Sequence, residues 1–322
     1  MNHFLYVYSF DDGEFTTTNE IRSLLVDCPI PKMLLLLEAD YYNFGIYEIN
    51  AFNEISDVIL RFGPETWSFK SNMKNLLEES FGKNANDFWA IFLSENAKKV
   101  SSFPHLVGDD EFFMTPLNQR KFLWSVLGVG YAARKAAIKN LRSCGLDPVT
   151  SGFKRKAIAG LRRVGLLRGE SNRSLNLMQD DFYQKLCSSK YSYICESGLE
   201  MPIRKFFEIP AAGAVLVCRP FRGINHLGFI AGENYIECEP NDLLEAHLFL
   251  ENNTEIAEEI AKSGQELIRR LHSVRARATQ FKICLNALVK CGGVGRWDRG
   301  NFHVISEIST NALFNITSKC IL

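Results

Sequence analysis

Two glutamates separated by seven residues are the side chains whose type and spacing best suit ligand binding. Glu200 and Glu208 lie within residues 195–218 (CESGLEMPIRKFFEIPAAGAVLVC). The pattern predicts a strand, a turn at Gly198 and a helix that opens at Pro202, whose unpaired amides would face an anion at the strand end. If the segment is helical throughout, the two carboxylates lie on the order of 12 Å apart. This distance suits the two ends of one elongated ligand. The alternative is that the two glutamates bind no ligand and lie on the solvated face of an ordinary helix.

Charge is balanced over the whole chain but uneven along it. The 322 residues carry 37 basic and 37 acidic side chains and no formal net charge, which argues against a nucleic-acid partner. Residues 117–169 hold twelve Lys or Arg against Asp147 alone, whereas residues 237–261 hold eight Asp or Glu and no base. The basic stretch is either a solvated face or a surface for an anionic ligand.

Apolar periodicity predicts alternating strands and helices in two parts, joined by a polar, proline-containing linker at 101–116. In the first part, strands are predicted over 4–9, 32–37 and 55–60, and helices over 18–26 and 71–81. In the second part, strands are predicted over 122–127, 191–195, 214–218 and 235–238, and helices over 132–143, 180–188, 202–212, 242–250 and 254–263. Such alternation indicates a doubly wound parallel sheet, in which ligands bind at the carboxyl ends of strands.

Several segments of this pattern resemble a known family. Residues 200–213 carry the two glutamates followed by small residues and glycine, and residues 125–134 (SVLGVGYAAR) carry a strand, a glycine turn and an arginine. Residues 229–244 and 260–277 extend the likeness, and residues 32–57 match a weaker pattern. Together they resemble the GT-B glycosyltransferases, and within them the CgeB-like, glycosyltransferase family 1-like group.

The resemblance implies a GT-B-like α/β fold, with two Rossmann-like domains whose parallel sheets face a cleft. Residues 1–114 would form a shortened amino-terminal, acceptor-side domain with its linker, and residues 115–270 the nucleotide-sugar-binding domain. Residues 271–322 would hold a closing helix and a tail. The glycines and Trp297 of this tail would make a loop that packs back on the first domain, or an accessory element.

The same resemblance implies a donor site. Glu208 would bind ribose hydroxyls and Glu200 hydroxyls of the donor sugar, because a carboxylate accepts hydrogen bonds from neighbouring hydroxyls. Arg134 would contact the diphosphate, unless it is an ordinary surface arginine on a basic helix. Glycines would let the backbone approach the diphosphate closely, and a second arginine would assist. The remaining residues implied for this site are Gly128, Gly130, Gly198, Arg204 and Gly213.

The implied function is transfer of a sugar from a nucleotide-diphosphate sugar to a glycan or protein acceptor, as in hexosyltransferases of glycan biosynthesis. The main task would be to stabilise charge on the leaving diphosphate, with no tightly bound cofactor and no metal. An inverting enzyme also needs a base, for which His105 is a weak candidate. The shortened first domain leaves alternatives: a non-catalytic sugar-nucleotide-binding module, a subunit completed by a partner, or a piece of a longer chain.

The remaining features concern compartment and local structure. No apolar run reaches the ~20 residues of a membrane-spanning helix, and residues 1–12 lack signal-peptide features, so the sequence predicts a cytoplasmic protein. Nine cysteines without a C-x-x-C pair predict reduced thiols. His226, His247 and His272 are spaced too irregularly for a metal site and are expected to be satisfied histidines at a surface or domain boundary. Pro210 is expected to kink or end its helix.

Overall fold

The computed structural model describes most of the second half of the chain and shorter parts of the first. The described residues are 6–8, 32–36, 53–54, 56–61, 91–92, 95–96, 99–128, 130–151, 181–196, 202–221, 223–291 and 293–306. The chain divides into two compact units. The first unit is Met1–His105, Gly198–Met201 and Arg277–Leu322, and the second is Leu106–Ser197 and Pro202–Ala276. The helices predicted over 18–26 and 71–81 lie outside the described residues.

The first unit holds a four-stranded parallel sheet. Its strands, in their order across the sheet, are β1 (Tyr6–Tyr8), β2 (Lys32–Leu36), β3 (Val58–Arg61) and β4 (Val100–Ser102). Every residue of β3 is buried, as expected for an inner strand covered on both faces. The three predicted strands are confirmed. The third begins later than predicted because Ser56 still belongs to a turn, in which its amide donates to the Asn53 carbonyl at 3.3 Å.

The second unit is built on a five-stranded sheet that is parallel throughout. Its strands are β5 (Phe122–Val126), β6 (Val149–Thr150), β7 (Ser189–Ile194), β8 (Val215–Cys218) and β9 (Ile236–Glu237). They are ordered β6-β5-β7-β8-β9, which confirms the predicted doubly wound sheet. The chain leaves β5 toward β6 on one side and returns to β7 on the other. The boundary between β5 and β7 is therefore a topological switch point, where sheets of this kind bind ligands.

Helices α1 (Ala132–Ser143), α2 (Lys205–Ala211), α3 (Leu243–Asn252) and α4 (Thr254–Leu267) connect or follow these strands, and residues 181–187 are also helical. A π-helical turn, Ile268–His272, continues α4. The predicted helices are confirmed, except that α2 begins three residues later than expected. In the described part of the chain, no helix combines the length and apolarity needed to cross a bilayer.

The core of the second unit lies between the sheet and helices α1, α3 and α4. Trp124 of β5 packs edge-on against Tyr191 of β7, with 5.3 Å between ring centroids. Apolar residues at helical spacing, Leu243 and Leu250 of α3 and Ile260 of α4, are almost fully buried in the same cluster. Burial of these large side chains is the main stabilising contribution to the unit.

The last described residues belong to the first unit. They form helix α5 (Val274–Cys291), which belongs to this unit from Arg277 onward, and strands β10 (Gly293–Asp298) and β11 (Asn301–Ser306). β10 and β11 form an antiparallel hairpin. Its two-residue loop has positive φ at both positions, 47° at Arg299 and 75° at Gly300, as hairpins of right-handed twist require. The tail residues thus form a hairpin where a loop or an accessory element was expected. The Gly295 amide donates to Ser101 Oγ at 2.7 Å.

Helix α2 includes Pro210 and ends at Ala211, one residue after the proline that was expected to kink or end it, and a glycine follows its cap. Gly213 has a φ of 69°, its amide donates to the Pro210 carbonyl at 2.8 Å, and the Ala214 amide donates to the Ile209 carbonyl at 3.2 Å. This pair of bonds is the Schellman arrangement that satisfies carbonyls at a helix end. A Cβ at Gly213 would lie 2.8 Å from Arg120 Nη2 and 3.0 Å from the Phe113 carbonyl oxygen.

We therefore expect Gly213→Ala to lower the free energy of unfolding by about 2–3 kcal/mol, because it adds a steric conflict to the cost of a left-handed backbone. Gly145→Ala is the matched control. Gly145 also has a positive φ, of 77°, but no heavy atom lies within 4 Å of its Cβ position, so about 1 kcal/mol is expected there. Urea denaturation of both variants measures the difference. Equal losses would show that the Arg120 side chain moves aside freely.

Candidate functional site

The candidate site begins at the switch point, where Gly128 follows β5. Gly128 has a φ of 110°, which favours glycine, and its amide donates to Ser151 Oγ at 2.8 Å. A Cβ on Gly128 would lie 2.8 Å from Arg134 Nη1 and 3.2 Å from Lys205 Cε. The glycine therefore lets two cationic side chains approach the strand end. They are Arg134, in the first turn of α1, and Lys205, at the start of α2.

Arg134 is held against the end of the neighbouring strand β7. Its guanidinium is buried, with the residue only 2% exposed, and Nη2 donates to the Cys195 carbonyl at 3.1 Å. The same guanidinium lies over the Tyr131 ring, 5.0 Å from its centroid, a favourable cation–π geometry. The interpretation of Arg134 as an ordinary surface arginine is wrong, because the side chain bridges α1 and β7.

A second charged pair occupies the same edge of the sheet. Glu196 follows β7 and Arg219 follows β8, and the Arg219 Nε donates to Glu196 Oε2 at 3.0 Å. Glu196 is buried whereas Arg219 is partly exposed. Neither residue was predicted as part of a site. Each residue directly follows a predicted strand, 191–195 or 214–218, so the sequence contains a pattern that could have indicated both.

Glu208 lies on α2 with its carboxylate buried, the residue being 6% exposed. Its Oε1 accepts from Tyr183 Oη at 3.3 Å and forms an ion pair with Arg204 Nη1 at 3.3 Å. Its Oε2 is buried and has no hydrogen-bond partner among the described residues. Burial raises the pKa of Glu208, the positive charges of Lys205 and Arg204 act against this shift, and the negative charge of Glu111 adds to it.

Tyr183 and Arg204 are in turn bound by a second carboxylate. Glu111, from the short 3₁₀ turn Asp109–Glu111, accepts from Tyr183 Oη through one oxygen and from Arg204 Nη2 through the other. Burial and the nearby charge of Glu208 raise the pKa of Tyr183 well above its usual range, so its hydroxyl remains a proton donor. Glu111 and Tyr183 were missed by sequence reasoning because they lie 72 residues apart, beyond the reach of any local pattern.

The predicted helix start at Pro202 is wrong. α2 begins at Lys205, after Arg204 as its cap, and Pro202 and Ile203 are not helical. The amides of Phe206 and Phe207 donate to the carbonyls of Ile203 and Arg204, at 3.0 and 2.9 Å. Because these amides already donate to protein carbonyls, they are not available to bind an anion. The positive charge that could bind an anion therefore comes from the side chains around Gly128.

The other predicted site residues are scattered. Gly198 and Glu200 lie outside the described residues, so their roles stay predictions. Gly130 is exposed, and a Cβ there would meet the side chain of Lys135 at 3.4 Å, an ordinary contact that a larger residue would tolerate. Gly213 lies at the far end of α2, before β8, where its function is to end the helix.

The histidine predictions have mixed outcomes. His105 belongs to the first unit, where its carbonyl accepts from Arg277 Nη2 at 3.1 Å, and its role as a base stays a prediction. His272 is fully buried, its Nε2 lies 2.8 Å from the Leu227 carbonyl, and its ring stacks on Phe229. His272 is therefore hydrogen-bonded, as predicted, but it is buried and does not lie at a surface. Within the described ranges, no cluster of three or more His, Cys, Asp or Glu side chains could hold a metal.

The fold is that of the GT-B glycosyltransferases. The chain is similar to the crystal structure of a glycosyltransferase from Rickettsia africae, with a TM-score of 0.53 and 10% identity over 88% of this chain and 84% of that one. It is also similar to HepE of Anabaena in complex with UDP and glucose, with a TM-score of 0.50 and 12% identity over 80% and 72% of the two chains.

Residues 149–282 match the family model described as "Glycosyl transferase-like". No curated protein sequence matches the chain. Residues 149–282 are therefore similar to a glycosyl transferase-like domain, and the chain has a GT-B-type α/β fold, as the sequence predicted. The matched residues include β7, β8 and α2, which carry Glu208 and the strand end that Arg134 contacts.

Proposed function

We propose that this protein transfers a sugar from a nucleotide-diphosphate sugar to an acceptor hydroxyl, with a uridine diphosphate sugar as the first donor to test. The observation that carries the proposal is the buried Glu208 carboxylate, whose Oε2 has no partner among the described residues. A buried carboxylate oxygen without a donor is costly, and a ligand hydroxyl would satisfy it. The ribose of a nucleotide supplies two adjacent hydroxyls.

The cations at the switch point support the same donor. Arg134 Nη1 and Lys205 Cε lie 2.8 and 3.2 Å from the Cβ position of Gly128, at the carboxyl edge of the sheet where a doubly wound fold binds phosphates. In this proposal they neutralise the diphosphate, while Glu208, further along α2, holds the ribose. The structure of HepE with UDP and glucose, a protein of the same fold, makes uridine the reasonable first base.

The reaction follows from the donor. The bond between sugar C1 and the diphosphate oxygen breaks, its electron pair stays on the diphosphate, and the acceptor oxygen bonds to C1 as its proton passes to a base. Arg134 and Lys205 would stabilise the charge that develops on the leaving group. For an inverting reaction, His105 is kept as the candidate base.

Finer assignments belong to the same proposal. We assign a hexose as the transferred sugar, a glycan or protein as the acceptor, membership of the CgeB-like group and a cytoplasmic location. Domain limits of 1–114, 115–270 and 271–322 stay a proposal beside the two compact units, and a partner that completes the first domain belongs to the same proposal. Glu200 and Gly198 are assigned to the donor sugar and the diphosphate.

Calorimetric binding of UDP, UDP-glucose and GDP to the wild type and Glu208→Gln tests the proposal. We expect one nucleotide to bind the wild type and to bind Glu208→Gln about tenfold more weakly, because an amide forms weaker hydrogen bonds to hydroxyls than a carboxylate does. Glu251→Gln is the matched control. Glu251 accepts from Tyr191 Oη at 2.6 Å, at the opposite end of β7, and its replacement should leave the affinity unchanged.

The proposal fails if no nucleoside diphosphate binds the wild type, or if Glu208→Gln and Glu251→Gln bind equally well. Product analysis then separates transfer from simple binding. A transferase releases UDP from UDP-glucose, at least slowly to water, whereas the alternative binding module holds the donor without consuming it.

A further inference from the structure

Two buried carboxylates from distant parts of the second unit share the same two donors. Glu111 is 8% exposed and Glu208 is 6% exposed. Both accept a hydrogen bond from the Tyr183 hydroxyl and form an ion pair with the Arg204 guanidinium. Tyr183 has one hydroxyl hydrogen and can direct it fully at only one acceptor. The two carboxylates therefore compete for the same hydrogen and the same cation.

The sharing is unequal. Glu111 Oε1 accepts from the Gly108 amide at 2.8 Å and from Arg204, and its Oε2 accepts from Tyr183. Both oxygens of Glu111 are thus satisfied. Glu208 has two longer contacts, both to Oε1, and its Oε2 has no partner among the described residues. Glu111 fixes the two donors, and the donors hold one oxygen of Glu208 while the other is left for a ligand.

We propose that Glu111 and Tyr183 are positioning residues that hold the Glu208 carboxylate for ligand binding, with Arg204 as the cation that joins the two carboxylates. Neither residue needs to touch the ligand. The inference rests on the proposed function for its purpose, since it names what prepares the ribose-binding carboxylate. Its physical content concerns Glu208 alone and can be measured without a ligand.

The charges around Glu208 give this proposal a signature in pH dependence. The groups that face Glu208 are Lys205 and Arg204 from its own helix start, Tyr183 from the helical residues 181–187, and Glu111 from the 3₁₀ turn. Burial raises the pKa of Glu208; the negative charge of Glu111 raises it further, and the Tyr183 hydrogen bond lowers it. Removal of Glu111's charge should therefore lower the pKa of Glu208, and removal of the Tyr183 hydroxyl should raise it.

The test is a carbon-13 NMR titration of the whole protein labelled at glutamate side-chain carboxyl carbons. The Glu208 signal is assigned by its absence in Glu208→Gln. We expect Glu111→Gln to move the Glu208 titration to lower pH and Tyr183→Phe to move it to higher pH. Tyr191→Phe and Glu251→Gln remove a similar tyrosine–glutamate bond at the other end of β7 and should leave the Glu208 titration unchanged.

Opposite shifts support the proposal, because a general loss of packing would move both variants in the same sense. Equal shifts, or none, overturn it. If Glu111→Gln does not fold, Tyr183→Phe against Tyr191→Phe still decides, since an unmoved Glu208 titration in Tyr183→Phe would contradict the positioning role.

UDP binding as a function of pH links the inference to the site. Because the ionised form of Glu208 is the better acceptor, affinity should rise as pH rises through its pKa. The midpoint of that rise should move down in Glu111→Gln and up in Tyr183→Phe. Absence of UDP binding in the wild type would count against the proposed donor, while the NMR titration would still judge the positioning role by itself.

Discussion

Arg120→Ala should lower the free energy of unfolding of the second unit by about 3–5 kcal/mol, because it leaves buried carbonyls without donors. Arg120 is 6% exposed. Its Nη1 donates to the Ser189 carbonyl at 3.0 Å and its Nη2 to the Ala212 carbonyl at 2.8 Å. Its Nε also donates to the Thr115 carbonyl, at 3.0 Å. One guanidinium thus ties the entry to β5 to the start of β7 and the end of α2.

Arg142→Ala is the matched control for this loss. Arg142 pairs with Asp147 at 3.0 Å, but the two side chains are 57% and 83% exposed, so its removal should change stability by less than about 0.5 kcal/mol. Hydrogen exchange of peptides that cover β7 and β8 reads the stability of this unit directly. Equal protection of these peptides in the two variants would contradict the assigned role of Arg120.

Arg134→Met should weaken UDP binding by about 10- to 100-fold and leave uridine binding unchanged. Methionine keeps an apolar stem in the buried space, while the charge beside Gly128 is lost. Hydrogen bonds that involve a charged group contribute about 1.5–3 kcal/mol, which corresponds to this range of affinity. Since the charge acts on the phosphates, the loss should follow the number of phosphates, from uridine through UMP to UDP.

Glu208→Gln should behave differently along the same series, because the ribose is present in every member. Its loss of affinity should be similar for uridine, UMP and UDP.

Arg142→Ala is the control for Arg134→Met, since Arg142 lies on the same helix α1 as Arg134 but is exposed. If Arg134→Met lost affinity for uridine and UDP equally, Arg134 would stabilise the structure of the site and would not bind the diphosphate.

The amino-acid sequence by itself determined the alternation of elements in the second unit. Helix α1 was predicted with the bounds at which it occurs, because its apolar periodicity is local and Gly145 ends it at a positive φ of 77°. Strands β5, β7, β8 and β9 were predicted for the same reason, since short apolar runs between turn residues are visible without the fold, whereas the two-residue strand β6 was not predicted. The Glu208 and Arg134 positions followed from the resemblance that these segments carry.

Helix α2 shows where local preference stops being sufficient. Proline favours the first position of a helix, which predicted a start at Pro202, whereas the helix begins at Lys205. The amides before Glu208 are satisfied by carbonyls of Ile203 and Arg204, so the chain did not need Pro202 in the helix. The preference of a residue for one helix position contributes only a few tenths to one kcal/mol. Such a local preference takes no account of tertiary contacts such as the ion pair between Arg204 and Glu111.

Only the tertiary structure decided which side chains surround Glu208. Glu111 lies in a stretch that reads as a linker, Tyr183 on a separate helical segment, and Arg204 93 residues from Glu111. Likewise, only the fold shows that Arg134 is buried and donates to the Cys195 carbonyl. Periodicity reports which face of an element is buried, but the partners across that face are set by the order of strands in the sheet. Because a buried charge is stable only with partners that the sheet brings from far along the chain, the electrostatics of this site belong to the fold.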